Sequence, residues 1–200
     1  MEHKSDHLER IQRSGKKIFQ NVLVYTSSEG KMLCQCCVRE CLAISSLNTR
    51  VYDCDVEENA MRHAVTCRYG HSPGHTREDL GENLYYSTAL RMDKLAAAEE
   101  ATKLWFNELA KFGVGQENVL TNELGYQILH YTQMVWQDTY RLGCFVEWCN
   151  SMTYVVCQYG PRGNWNDDPI YEKGNSCTTD DDCNCTNCKC SKEEALCIIQ

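Results

Sequence analysis

The chain has no apolar run of transmembrane length, and residues 1–17 are polar and charged, without the apolar centre of a signal peptide. No long basic patch interrupts an acidic balance of 28 Asp and Glu against 20 Lys and Arg, so nucleic acid is not an expected partner. Glycine-rich phosphate loops of the P-loop and dinucleotide types are missing, as are HExxH and the serine elbow. Internal repeats and low-complexity tracts are missing too. These absences exclude a membrane-spanning helix, a nucleic-acid footprint and the best-marked nucleotide and hydrolase sites.

What the chain has is sulfur: 15 cysteines in 200 residues. Crosslinking on that scale belongs to an oxidising compartment, because cytosolic thiols are mostly kept reduced. The expected location is therefore extracellular, with a leader already removed or a start that is not the natural one. An odd total leaves at least one cysteine free or paired between chains. Cys34, Cys36, Cys37 and Cys41 form either a metal knot or a crosslinked strap in the run MLCQCCVREC. After Trp165 the composition changes: Cys177, Cys183, Cys185, Cys188, Cys190 and Cys197 stand among residues with almost no apolar content. Such a tail cannot build a core, so bridges must define it, and six cysteines allow fifteen pairings. Cys54, Cys67, Cys144, Cys149 and Cys157 are the disulfide candidates before it, and Cys149 and Cys157 flank a turn where they can meet.

Periodicity organises the middle of the chain. Residues 18–25 are a short apolar segment. A helix is expected over 55–69, with Asp55 as N-cap, Glu58 three residues on, and Ala60, Ala64 and Cys67 as a buried stripe. A second is expected over 93–112, opened by Asp93, with Leu95, Ala98, Thr102, Trp105, Leu109 and Phe112 inward. Residues 142–148 and 153–159, rich in aromatic and β-branched types, read as a β-hairpin. The order implies an α/β domain with helices over a mostly antiparallel sheet. Its expected bounds are 16–166, after a polar segment 1–15 and before a cysteine-rich extension 167–200.

Six histidines occur. His3 and His7 are near the start, and His63 reads as a solvated helical residue. His71 opens a Pro/Gly loop that also holds His75, and His130 heads an apolar run. Glu82 lies in LGENL, and Glu108 near the edge of the second helix's stripe. Spacing alone does not force these groups together, and a solvated face would account for both acids. The acidic triplet 180–182 reads as a solvated run rather than a calcium loop, since it lacks EF-hand spacing. Asn184 sits in a glycosylation sequon.

Four motifs carry a resemblance. HYTQMVW at 130–136 and YVVCQYGPRGNW at 154–165 resemble the two signatures of the CAP superfamily, which comprises cysteine-rich secretory, antigen 5 and pathogenesis-related 1 proteins. LGENL at 80–84 and GHS at 70–72 match two further family motifs in the same order. YDCDVEENA and the cysteine-rich tail are similar to the nematode branch of activation-associated and venom-allergen-like proteins. The resemblance implies a three-layer α-β-α sandwich with a large cleft, lined by a tetrad of His71, Glu82, Glu108 and His130. It further implies that His71 and His130 can hold zinc or another divalent cation, with Glu82 and Glu108 as direct or outer carboxylates. The implied function is a secreted, immune-modulating effector that binds a host protein or a small apolar ligand, such as a sterol or lipid. Two alternatives stand beside it: a metal- or His/Glu-dependent hydrolase, and a receptor- or channel-blocking action of the tail.

Overall fold

The computed structural model describes residues 51–171, 178–183, 188–191 and 196–199. The segments 1–15 and 18–25, the cluster at Cys34, Cys36, Cys37 and Cys41, His3, His7, Cys177, Cys185 and the Asn184 sequon lie outside the described residues.

Asp53 starts the first helix. Its backbone is extended and its carboxylate accepts from the amides of Asp55 at 2.9 Å and Val56 at 3.1 Å, the bonds that an N-cap supplies. The helix α1 (Cys54–Ala64) is thus shorter than the expected 55–69, and Asp53 rather than Asp55 is its cap. It cannot continue far beyond Ala64, because Cys67 adopts a left-handed φ of 53°. The second expected helix also differs. Asp93 caps it as read, its carboxylate accepting from the Ala96 amide at 2.9 Å, but the chain breaks at Asn107 into α2 (Lys94–Phe106) and α3 (Glu108–Phe112). The break turns Phe112 outward, and it is exposed rather than part of the inner face. A further helix, α4 (Asn122–Val135), was not anticipated, although Thr121 caps it and Ile128, Tyr131 and Val135 are buried at steps of three and four.

The hairpin forms where the pattern placed it, as β3 (Arg141–Trp148) and β4 (Thr153–Gly160). With β1 (Val51–Tyr52) and β2 (Gly81–Ser87) it makes a four-stranded sheet of order β1-β3-β4-β2. Only the short β1–β3 pair is parallel. Strand alternation sorts β4 onto two cores: Val155, Cys157 and Tyr159 join α2 and α4, while Tyr154 and Val156 join α1. Helices therefore cover both faces, and every residue of β4 is buried. In the tail, β5 (Cys188–Ser191) and β6 (Leu196–Ile199) form a separate antiparallel pair.

The disulfides correct one expectation. Cys149 and Cys157 do not meet; the bonds are Cys67–Cys149 and Cys144–Cys157. Register decides this, since Cys144 and Cys157 face each other directly across the ladder. Cys149, beyond the end of β3, meets the chain just after α1 instead. Cys54, Cys183 and Cys190 are also disulfide-bonded.

Glu57 sits where α1 rests directly on the sheet, since a Cβ at Gly143 would overlap the Glu57 backbone nitrogen. Its side chain is buried, and among the described residues its Oε2 has no hydrogen-bond partner. Burial pushes its carboxyl up to about 7, and a hydrogen bond with Tyr52 offsets this only in part. A folded pKa above the unfolded one favours the protonated fold. That stabilisation is complete below about 4.5 and is lost as pH rises through about 7. Glu57→Gln should abolish this contribution to pH dependence and stabilise the fold at pH 8 by roughly 2–3 kcal/mol. Urea midpoints of parent and variant at pH 5 and pH 8 test it, and parallel curves would show Glu57 to be ionised in the fold.

Candidate functional site

β2 is an edge strand, and the cleft wraps round its first half. Glu82 lies on the α1 side of the sheet, opposite Gln158 in the β4 register. Its side chain is fully buried and each of its oxygens accepts two hydrogen bonds. Oε1 accepts from His71 Nδ1 and the Ser72 amide, both at 2.9 Å. Oε2 accepts from Ser72 Oγ at 2.7 Å and Gln158 Nε2 at 2.8 Å. Burial would raise this carboxyl, but the hydrogen bonds from His71, Gln158 and Ser72 outweigh it and bring it to about 2. Arg77, 3.8 Å from Glu82, donates to the carbonyls of Ser72 and Leu80 and so pins the loop that carries His71.

His63 helps to hold the same loop. Instead of standing in solvent, it is half-buried, its Nε2 donating to the Gly70 carbonyl at 2.7 Å beside the Tyr154 hydroxyl. The neighbouring residue in the chain is His71. His75 is exposed and takes no part.

The other half of the site comes from the opposite face. The break at Asn107 puts Glu108 at the start of α3, where its Oε1 accepts from His130 Nδ1 at 2.6 Å and its Oε2 from the Tyr131 amide at 2.9 Å. The His130 ring stacks on Trp105 with 6.0 Å between centroids. Asn83 Nδ2 donates to the His130 carbonyl at 3.0 Å, tying α4 to β2. All four tetrad residues line one cleft of about 340 Å³. Their convergence was implied by the resemblance and by nothing in their spacing. Ser72, Arg77 and Gln158, which set the state of Glu82, were not singled out. The Ser in GHS was the available signal for the first of them.

The geometry gives the two acids one task. Each binds the Nδ1 of an imidazole, which fixes the tautomer and leaves Nε2 as the nitrogen able to donate a lone pair. Two imidazole nitrogens left with lone pairs are the donor type that an open metal centre uses, and each carboxylate is engaged with a ring Nδ1. They do not fit a closed four-ligand site, and among the described residues no group of three or more His, Cys, Asp or Glu side chains is arranged to hold a metal. The acidic triplet has a structural use: the Asp182 carboxylate accepts from the amides of Thr178 and Thr179, capping a short 3₁₀ turn. Hydrogen bonding holds its carboxyl at about 2. No helix among the described residues is long and apolar enough to cross a membrane.

Comparison with known proteins is consistent across sequence and structure. Residues 44–159 match the profile of CAP, the Cysteine-rich secretory protein family. Over 152 residues the chain is 50% identical to the Ancylostoma secreted protein of Ancylostoma caninum, covering 74% of this chain and 35% of that protein. The chain spans 64% and 57% of the length of two other curated relatives that it matches. A crystal structure of NaASP2 with Zn²⁺ superposes with a TM-score of 0.71 at 41% identity, covering 94% of this chain and 93% of that one. Na-ASP-1 superposes at 0.72 with 38% identity, covering 94% and 47%.

Proposed function

The chain belongs to the cysteine-rich secretory protein (CAP) family, and on that premise we propose that it is a secreted binding protein. Its cleft and rim would hold a host protein or a small apolar ligand such as a sterol or lipid, with a role in immune modulation. The observation that carries this reading is the saturation of both cleft carboxylates. A glutamate at about 2 is a weak base, and Glu108 has both oxygens engaged, so the tetrad is arranged to hold rather than to transfer protons. A second groove of about 320 Å³ shares Glu108 and His130 with the cleft and is lined by Tyr69, Tyr86, Leu104 and Phe112. It offers the aromatic and aliphatic surface that an apolar ligand needs.

His71 and His130 would hold a divalent cation, zinc above all, which when bound supplies a Lewis-acid anchor for ligand oxygen atoms. The relative crystallised with Zn²⁺ supports trying that ion first. Affinity should fall on acidification, because protonated imidazole has no lone pair to donate. Replacing both histidines by alanine should abolish stoichiometric zinc uptake with helix content nearly unchanged. Calorimetry on metal-stripped parent and double variant tests this. Equal affinity in the two proteins would move the metal away from the tetrad.

A further inference from the structure

Residues 161–164, after β4, are anchored at every position. The Pro161 carbonyl accepts from Thr139 Oγ1 at 2.8 Å, and the Arg162 amide donates to the Asp79 carbonyl at 2.8 Å. The Gly163 amide donates to Gln133 Oε1 at 3.1 Å. A Cβ at Gly163 would overlap the Trp136 ring, so the loop lies against α4 with no slack. Asn164 accepts from Thr132 Oγ1 at 2.7 Å and donates to the Leu129 carbonyl at 2.9 Å. One side chain of this loop is not used to hold it. Arg162 lines the cleft with its guanidinium carbon 3.9 Å from the centroid of the Trp165 ring.

A guanidinium backed by an aromatic ring keeps its planar fork of N–H donors for a planar acceptor such as a carboxylate. Among the described residues the Arg162 side chain has neither an ion-pair partner nor a hydrogen-bond acceptor. The acids of the cleft cannot serve, because Glu82 and Glu108 have both oxygens committed elsewhere. Arg77 is equally committed, to two carbonyls and to Glu82. Among the described residues the cleft therefore presents one fixed, uncompensated cation at its mouth. Trp165, 44% exposed, leaves it open to solvent.

The geometry points to Arg162 as the anchor of a carboxylate-binding site at the mouth of the cleft, taking the carboxylate in a bidentate pair while Trp165 backs the guanidinium. This assignment rests on the reading of the cleft as a binding site, and it names the chemistry of the ligand. The carboxylate is either that of a small organic acid or an acidic side chain of a partner protein.

The test is a titration of the whole chain, stripped of metal over a chelating resin, at constant ionic strength. Probes are propionate, a capped peptide with one central glutamate, and its glutamine counterpart. Two-dimensional NMR would follow the Arg162 Nε–H and Trp165 indole N–H signals. Saturable shifts are expected with propionate and the glutamate peptide, and none with the glutamine peptide. R162Q should weaken binding roughly tenfold or more, and R162K by a smaller factor, because lysine keeps the charge but loses the fork. Unchanged backbone signals elsewhere would certify the fold of both variants. Tighter binding of the peptide than of propionate assigns the site to a partner's acidic side chain, and the reverse assigns it to a free acid; either upholds it. Non-saturable shifts in the parent, or equal shifts in R162Q, would overturn it. Because metal is absent throughout, carboxylate binding by a parent that takes up no zinc would sink the metal reading alone. Zinc uptake without carboxylate binding would sink this one alone.

Discussion

Replacing Glu82 by alanine should destabilise the fold by about 3–5 kcal/mol, the range for stripping a buried charge from its partners. The loss is large because the acceptor serves four donors. Ser72 Oγ, the Ser72 amide, Gln158 Nε2 and His71 Nδ1 all lose it together, and the three from Ser72 and Gln158 are buried. Glu82→Gln should cost less, since the amide oxygen still accepts, but its NH₂ group meets donors where acceptance is needed. The pH dependence has the opposite sign to that of Glu57. A folded pKa of about 2 against an ordinary value of 4.5 means stability present above 4.5 and lost as pH falls through 2. Parent and Glu82→Ala should therefore differ most near neutrality and converge in strong acid. Chemical denaturation at pH 7 and pH 3 measures this. An unchanged midpoint at pH 7 would show that the carboxylate does not organise the loop.

The second large effect is expected from the Cys67–Cys149 bond. It joins residues 82 apart in sequence, whereas Cys144–Cys157 joins residues 13 apart. If a crosslink acts mainly by restricting the unfolded chain, removing the longer one costs about 4–5 kcal/mol and the shorter about 3 kcal/mol. Replacing Cys67 and Cys149 by alanine should therefore lower the non-reducing denaturation midpoint more than replacing Cys144 and Cys157. The reverse order would mean that packing in the core, where Cys144 and Cys157 are both buried, outweighs loop closure. The longer bond also matters locally, because Cys67 precedes the loop that presents His71. Its loss should weaken zinc uptake in calorimetry even under conditions where the fold persists.

Local chemistry made parts of this molecule legible. The hairpin was readable because β-branched and aromatic residues cluster in two short runs around a turn. The opening of α2 was readable because Asp93 is a good cap for the alanine-rich run after it. Errors arose wherever a distant group intervened. Asp53 rather than Asp55 caps α1, and Asp53 also receives Arg141 Nε at 2.7 Å from β3. The helix read as continuous to Phe112 breaks at Asn107, and Glu108 just after the break is held by His130. His63 looked solvated because its partners, Gly70 and Tyr154, are out of helical reach.

Composition and motif alone determined the disulfide-bearing character of the chain, its mixed α/β class and its family. Only the tertiary structure decided the hydrogen-bond partners of His71, Glu82, Glu108 and His130 and the disulfide pairing. The reason is one of separation in the chain. His71 and Glu82 lie 11 residues apart, Glu108 and His130 22, and Glu82 and Gln158 76. Each contact forms only once the sheet has set its register and α4 has packed on its face. A glutamate's neighbours, not its letter, decide whether it is a solvated charge, a buried acid with a raised pKa like Glu57 or a fully bonded carboxylate like Glu82. Those neighbours are supplied by strands and helices that local sequence cannot bring together.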